Sequence, residues 1–105
     1  MSKKYLLGMY EKAVPAELTW IERLEVARES GFDYVEISID ESDARLSRLD
    51  WTPAERRQLV RNMESTGTLI RSMCLSAHRK YPFGATDPGT VARSLDIMKK
   101  ALDLA

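Results

Sequence analysis

Three short stretches of this chain carry the side chains best suited to chemistry: Tyr10-Glu11-Lys12, the run from Glu36 to Arg48, and Ser76-Ala77-His78-Arg79-Lys80. The third is the richest. His78 is the only histidine, and two cations follow it directly. Such a cluster can hold a sugar hydroxyl or a phosphate, since Arg and Lys supply charge-assisted hydrogen bonds to phosphate. The same cations would serve equally as a solvated loop. Glu36 stands among Val35, Ile37 and Ile39, where a carboxylate is out of place. It either points toward an active site as acid, base or acceptor, or pairs with a neighbouring Arg or Lys. Glu11 and Lys12 follow an apolar run directly and are candidates to face the same site.

Other patterns point away from chemistry. Asp40, Glu41 and Asp43 resemble a metal cluster, but the glycine and terminal Glu of a calcium loop are missing. A surface loop is the simpler reading. Arg45, Arg48 and Asp50 could clamp an anion, yet pairing with the acids beside them accounts for them as well. Cys74 lies among apolar residues and reads as a buried structural thiol. Trp20 and Trp51 stand at helix starts and read as packing residues. The sequence holds no CxxC, no second histidine, no Gly-rich phosphate loop and no GxSxG. No complete metal site can be assembled from it.

The elements that position these residues alternate between strand and helix. Tyr5-Leu6-Leu7-Gly8-Met9 suits a buried strand. Thr19 and Glu22 have capping-box spacing, so the first helix should start there, with Trp20, Ile21, Leu24 and Ala27 on one face and Gly31 as its stop. Phe32 to Ile39 is rich in β-branched and aromatic residues and reads as the second strand. A polar loop is expected from Asp40 to Trp51. Thr52-Pro53 and Glu55 then start a second helix with Leu59, Val60 and Met63 as its buried stripe, ended by Gly67. Leu69 to Leu75 reads as the third strand, and Ser76 to Thr86 as a loop. Asp87-Pro88 opens a third helix with Val91, Leu95, Met98, Ala101 and Leu102 on one face, and no stop signal before Ala105.

Short strand–helix alternation implies a parallel sheet with right-handed crossovers. A flavodoxin-like sheet needs about five strands. A (β/α)8 barrel needs eight, in ~250 residues. Three units satisfy neither, and a three-stranded parallel sheet leaves both edges and its apolar faces open. The expected fold is therefore α/β: three βα units of a (β/α)8 TIM barrel, incomplete at 105 residues, with residues 1–105 forming the N-terminal part of a single domain. The alternative is a small α/β module that dimerises to cover its sheet. In a barrel, chemistry sits on the loops after the strands, where the three stretches lie.

Composition narrows the partners. Sixteen basic and sixteen acidic residues cancel, so no basic surplus favours nucleic acid. Apolar residues at 44% and charged residues at 30% fit a soluble globular chain and argue against disorder. No apolar run approaches the ~18–20 residues of a membrane span. The basic start before Gly8 and Glu11 does not form a signal peptide, and one cysteine excludes a disulfide scaffold. The expected location is the cytoplasm.

Four segments carry a resemblance: Leu7-Gly8-Met9-Tyr10-Glu11-Lys12-Ala13, Gly31-Phe32-Asp33-Tyr34-Val35-Glu36, Arg45-Leu46-Ser47-Arg48-Leu49-Asp50-Trp51 and Ser72-Met73-Cys74-Leu75-Ser76-Ala77-His78-Arg79. Together they resemble the N-terminal third of the L-xylulose-5-phosphate (L-ribulose-5-phosphate) 3-epimerases of bacterial ascorbate and related pentose catabolism, which belong to the xylose-isomerase-like barrel superfamily. The resemblance covers essentially the whole chain. It implies inversion at C3 of a ketopentose 5-phosphate through an ene-diolate, with two acidic side chains as base and acid. It also implies a divalent metal, Mn, Mg or Zn, in the full-length family. The catalytic and metal-binding carboxylates would come from later strands, so no catalytic or metal-binding residue is expected here. Substrate contact is the expected contribution, from Lys12, Glu36, His78 and Arg79, each following or ending a strand. The chain alone should be inactive. A homo-oligomer, or a self-associating binding module without catalysis, is the remaining expectation.

Overall fold

A computed structural model describes residues 5–105. Its strands are β1 (Gly8–Tyr10), β2 (Tyr34–Ser38) and β3 (Leu69–Cys74), in sheet order β1-β2-β3. The helices are α1 (Trp20–Glu29), α2 (Asp43–Leu46), α3 (Pro53–Thr66) and α4 (Pro88–Leu104). Three 3-10 turns lie at Glu11–Ala13, Ser47–Asp50 and Ser76–Arg79. The sheet is parallel, as strand–helix alternation requires.

Contacts divide the chain into two compact units. The first holds residues up to Ile37 together with Thr52–Ser72. Here Met9 pairs with Val35 in the parallel register, and both are buried with Leu24 and Ala27 of α1. Trp20, Phe32, Met63 and Ile70 close around them. The helix starts follow from local chemistry. Thr19 and Glu22 form the expected capping box, with Thr19 N–H donating to Glu22 Oε1 at 2.9 Å. Thr52 caps α3, with Pro53 in its first turn. Gly67 ends α3 at φ 73°, a left-handed conformation that favours glycine. The side chain of Arg28 fills the space that a Cβ there would need, and donates to the Thr66 carbonyl at 3.1 Å.

The second unit holds Ser38–Trp51 and Met73–Ala105. Ile39 N–H donates to the Cys74 carbonyl at 2.9 Å, and Ala77 N–H to the Ile39 carbonyl at 3.0 Å. Ile39, Leu46, Leu49, Ala77, Ile97 and Ala101 are its buried apolar residues. Asp87 caps α4, as its place before Pro88 predicts.

Several elements differ from the sequence expectation. Strand 1 spans Gly8–Tyr10 rather than Tyr5–Met9, because only the residues opposite Tyr34–Glu36 find ladder partners. Tyr5, Leu6 and Leu7 are exposed. The expected loop over Asp40–Trp51 contains α2 and a 3-10 turn, started by Ser42 accepting from Arg45 N–H. On α3, Val60 is 46% exposed, so it does not belong to a buried stripe. On α4 the packed face is Ser94, Ile97 and Ala101, while Leu95 and Leu102 are exposed. Cys74 is half-buried rather than buried.

Candidate functional site

The residues singled out from the sequence fall on both units. In the first, β1 ends at Tyr10 and the chain turns at once through Glu11–Ala13. Glu11 is 1% exposed. A carboxylate so deeply buried needs compensation, and Arg23 of α1 supplies it. Arg23 Nη1 lies 3.8 Å from Glu11 Oε2, an electrostatic rather than a hydrogen-bonded distance. The same guanidinium donates from Nη2 to the Ala16 carbonyl at 2.9 Å and lies over the Trp20 ring, 4.9 Å from its centroid. One arginine thus joins the turn, the following loop and the start of α1. Glu11 is turned inward, while Lys12 beside it is exposed.

Glu36 lies on β2 in register with Tyr10. Side chains alternate along a strand. Since Met9 and Val35 pack against α1, Tyr10 and Glu36 occupy the opposite face of the ladder. Glu36 is half-buried, and its partner is a hydroxyl rather than Arg or Lys: Ser72 Oγ of β3 donates to Glu36 Oε2 at 2.7 Å. Lys12 and Glu36 therefore follow and occupy paired strands of one unit.

His78 and Arg79 belong to the second unit, in the 3-10 turn after β3. His78 Nε2 is 3.1 Å from the Ser94 carbonyl. A carbonyl can only accept, so Nε2 is the donor in this contact. The ring also packs on Phe83, centroid to centroid 4.4 Å. The anchor comes from α4, which the sequence signals did not connect with His78. Arg79 is exposed.

The acidic cluster in this unit is dispersed. Asp40 is buried and accepts from Ser42, with Arg45 Nη1 3.9 Å away. Glu41 and Asp43 are exposed. Arg48 donates to the Ser38 carbonyl at 2.9 Å, and Lys100 to Asp50 at 2.8 Å. Arg45 and Arg48 are thus engaged within the chain rather than clamping an anion. Among the described residues, no group of three or more His, Cys, Asp or Glu side chains could hold a metal ion. No helix among them is long and apolar enough to cross a membrane.

Ser72, the partner of Glu36, is the residue of this arrangement that sequence reasoning missed. Its only signal was a small polar side chain inside a strand, a feature common to strands with no role in any site.

Parallel βα units with polar side chains at and after the strand ends define a class, and comparison with known proteins agrees. The family model of xylose isomerase-like TIM barrels matches residues 24–105, and the chain belongs to that family. More particularly, it is 51% identical over all 105 residues to L-ribulose-5-phosphate 3-epimerase UlaE of Escherichia coli. The identity is the same to the enzyme of that name from Salmonella enteritidis PT4. The chain spans 37% of the length of these curated relatives.

Proposed function

We propose that this chain forms the N-terminal part of a single (β/α)8 domain that epimerises C3 of L-ribulose 5-phosphate or L-xylulose 5-phosphate. The observation that carries this reading is 51% identity along the whole chain to 3-epimerases of L-ribulose 5-phosphate. Identity at that level across three complete βα units favours a shared substrate over a shared fold alone.

The reaction removes a proton from C3, acidified by the C2 carbonyl, and returns one to the other face. The charge that develops on the ene-diolate oxygens needs stabilisation. A divalent cation would supply it in the complete enzyme. The donor set among the described residues does not fit one. The acid and base likewise belong to the remaining strands of the barrel.

What this chain contributes is grip on the substrate. Lys12 and Arg79 are exposed cations just after β1 and β3, each of a type suited to contact an anionic group of the substrate. Glu36 accepts from a sugar hydroxyl. His78 is a further contact, its ring fixed through Nε2 by Ser94. The protein acts in the cytoplasm, on a soluble metabolite.

The test joins this chain to the remaining two-thirds of the Escherichia coli relative and assays epimerisation of L-ribulose 5-phosphate. Turnover by the hybrid supports the reading. A folded hybrid without turnover sinks it.

A second reading, a self-associating module without catalysis, has one observation in its favour: Leu95 and Leu102 stand exposed on α4. It requires a concentration-dependent dimer of the 105-residue chain in sedimentation equilibrium. A monomer at all concentrations excludes it.

A further inference from the structure

We propose that Ser72 is a positioning residue. By holding Glu36 Oε2, it aims the other carboxylate oxygen, Oε1, at a hydroxyl of the neutral polyol part of the substrate. The inference rests on the epimerase reading above and assigns a task within it.

The geometry carries the argument. Glu36 is half-buried on a strand, on the face opposite the Met9–Val35 core. A carboxylate here would rotate about its terminal torsion, which is broad for Glu. The 2.7 Å bond from Ser72 Oγ fixes that torsion from the neighbouring strand. Both anchors lie on sheet rather than loop, so the aim is rigid. A carboxylate accepts at two oxygens, and Ser72 engages Oε2, so Oε1 retains its capacity to accept. An anionic acceptor suits O–H donors and repels a phosphate. Glu36 therefore recognises a sugar hydroxyl, and Ser72 sets its angle.

The hybrid barrel described above provides the test, through a double-mutant cycle on KM for L-ribulose 5-phosphate. Ser72→Ala should raise KM about three- to tenfold, the range of one ordinary hydrogen bond, with kcat nearly unchanged. Ser72→Thr, which keeps the hydroxyl, should restore KM. In a Glu36→Ala background, Ser72→Ala should change nothing further. Calorimetric binding of L-ribulose 5-phosphate repeats the cycle without turnover. The melting temperature of each variant separates positioning from stability. The inference is overturned if Ser72→Ala lowers the melting temperature but leaves KM and binding intact. It is also overturned if the Ser72→Ala effect persists undiminished without Glu36. A folded wild-type hybrid that neither binds nor turns over the substrate overturns the epimerase reading itself, which is a distinct result.

Discussion

Arg23 Nη1 sits 3.8 Å from Glu11 Oε2, with both side chains almost wholly buried. The pair ties the turn after β1 to α1 and so fixes the backbone that presents Lys12. Breaking a buried ion pair by removing one side costs about 3–5 kcal/mol. Arg23→Ala should lower stability by that amount in urea unfolding. Arg23→Lys should recover only part, because an ammonium cannot reach Glu11, the Ala16 carbonyl and the Trp20 face together.

The caps of α3 offer smaller, separable effects. Thr52→Ala removes the acceptor for Glu55 N–H and should cost about 1 kcal/mol. Gly67→Ala forces a Cβ into a left-handed conformation and against the side chain of Arg28. That change should cost about 1–2 kcal/mol. Thermal melts of the two variants, compared with their double mutant, should show near-additive losses, since the sites lie at opposite ends of the helix.

Acidification should loosen α4 at its N-terminus. The Thr90 hydroxyl and then the Thr90 N–H donate to Asp87 and hold its carboxyl below the ordinary carboxylate range. A lowered folded value means that the ionised cap stabilises the helix at pH above about 4, the unfolded value. That contribution is lost as pH falls through the lowered value. Glu22 in the capping box of α1 behaves alike, through Thr19. The hydrogen-exchange protection factors at Thr90 and Val91, with the intrinsic pH dependence of exchange divided out, should therefore fall below about pH 4 and stay constant between about pH 5 and 8. Asp87→Asn should flatten the acid limb at those two amides. An unchanged acid limb in that variant contradicts the assignment.

The 105-residue chain alone should show no epimerase activity, because the acid, base and metal donors are proposed to lie on the remaining strands. Within the hybrid barrel, Lys12→Ala and Arg79→Ala should each raise KM for L-ribulose 5-phosphate about tenfold or more if they hold the phosphate. Arg79→Ala should not lower stability, since that side chain is exposed. Equal KM for variant and parent would remove that residue from the phosphate contact.

Local signals in the sequence proved the most legible. The helix starts at Thr19, Thr52 and Asp87 were readable because a cap is decided within about four residues. The extent of β1 was not, because pairing with Tyr34–Glu36 rather than apolar content sets its ends. On α4, the apolar periodicity favoured Leu95 and Leu102, whereas the packed face uses Ser94 and Ile97. A small serine permits close approach, yet gives no apolar signal. Burial of Arg23 was hidden for a related reason: a charged side chain reads as solvated until its acid and aromatic partners are placed around it. Lys12, His78 and Arg79 were singled out because they follow strands, and Glu36 because a carboxylate interrupts an apolar strand; the structure places Glu36 in the middle of β2 and the other three in the turns after β1 and β3. The anchors of Glu36 and His78, Ser72 and Ser94, come from separate elements and became visible only with the fold.

The most direct measurement is deuterium exchange at C3 of L-ribulose 5-phosphate in heavy water, followed by proton NMR, with the hybrid of this chain and the remaining strands of the Escherichia coli relative. Loss of the C3 proton signal, with L-xylulose 5-phosphate appearing alongside, is the predicted result. A folded hybrid that leaves the C3 proton in place would contradict the assignment of this chain to a pentulose-phosphate 3-epimerase.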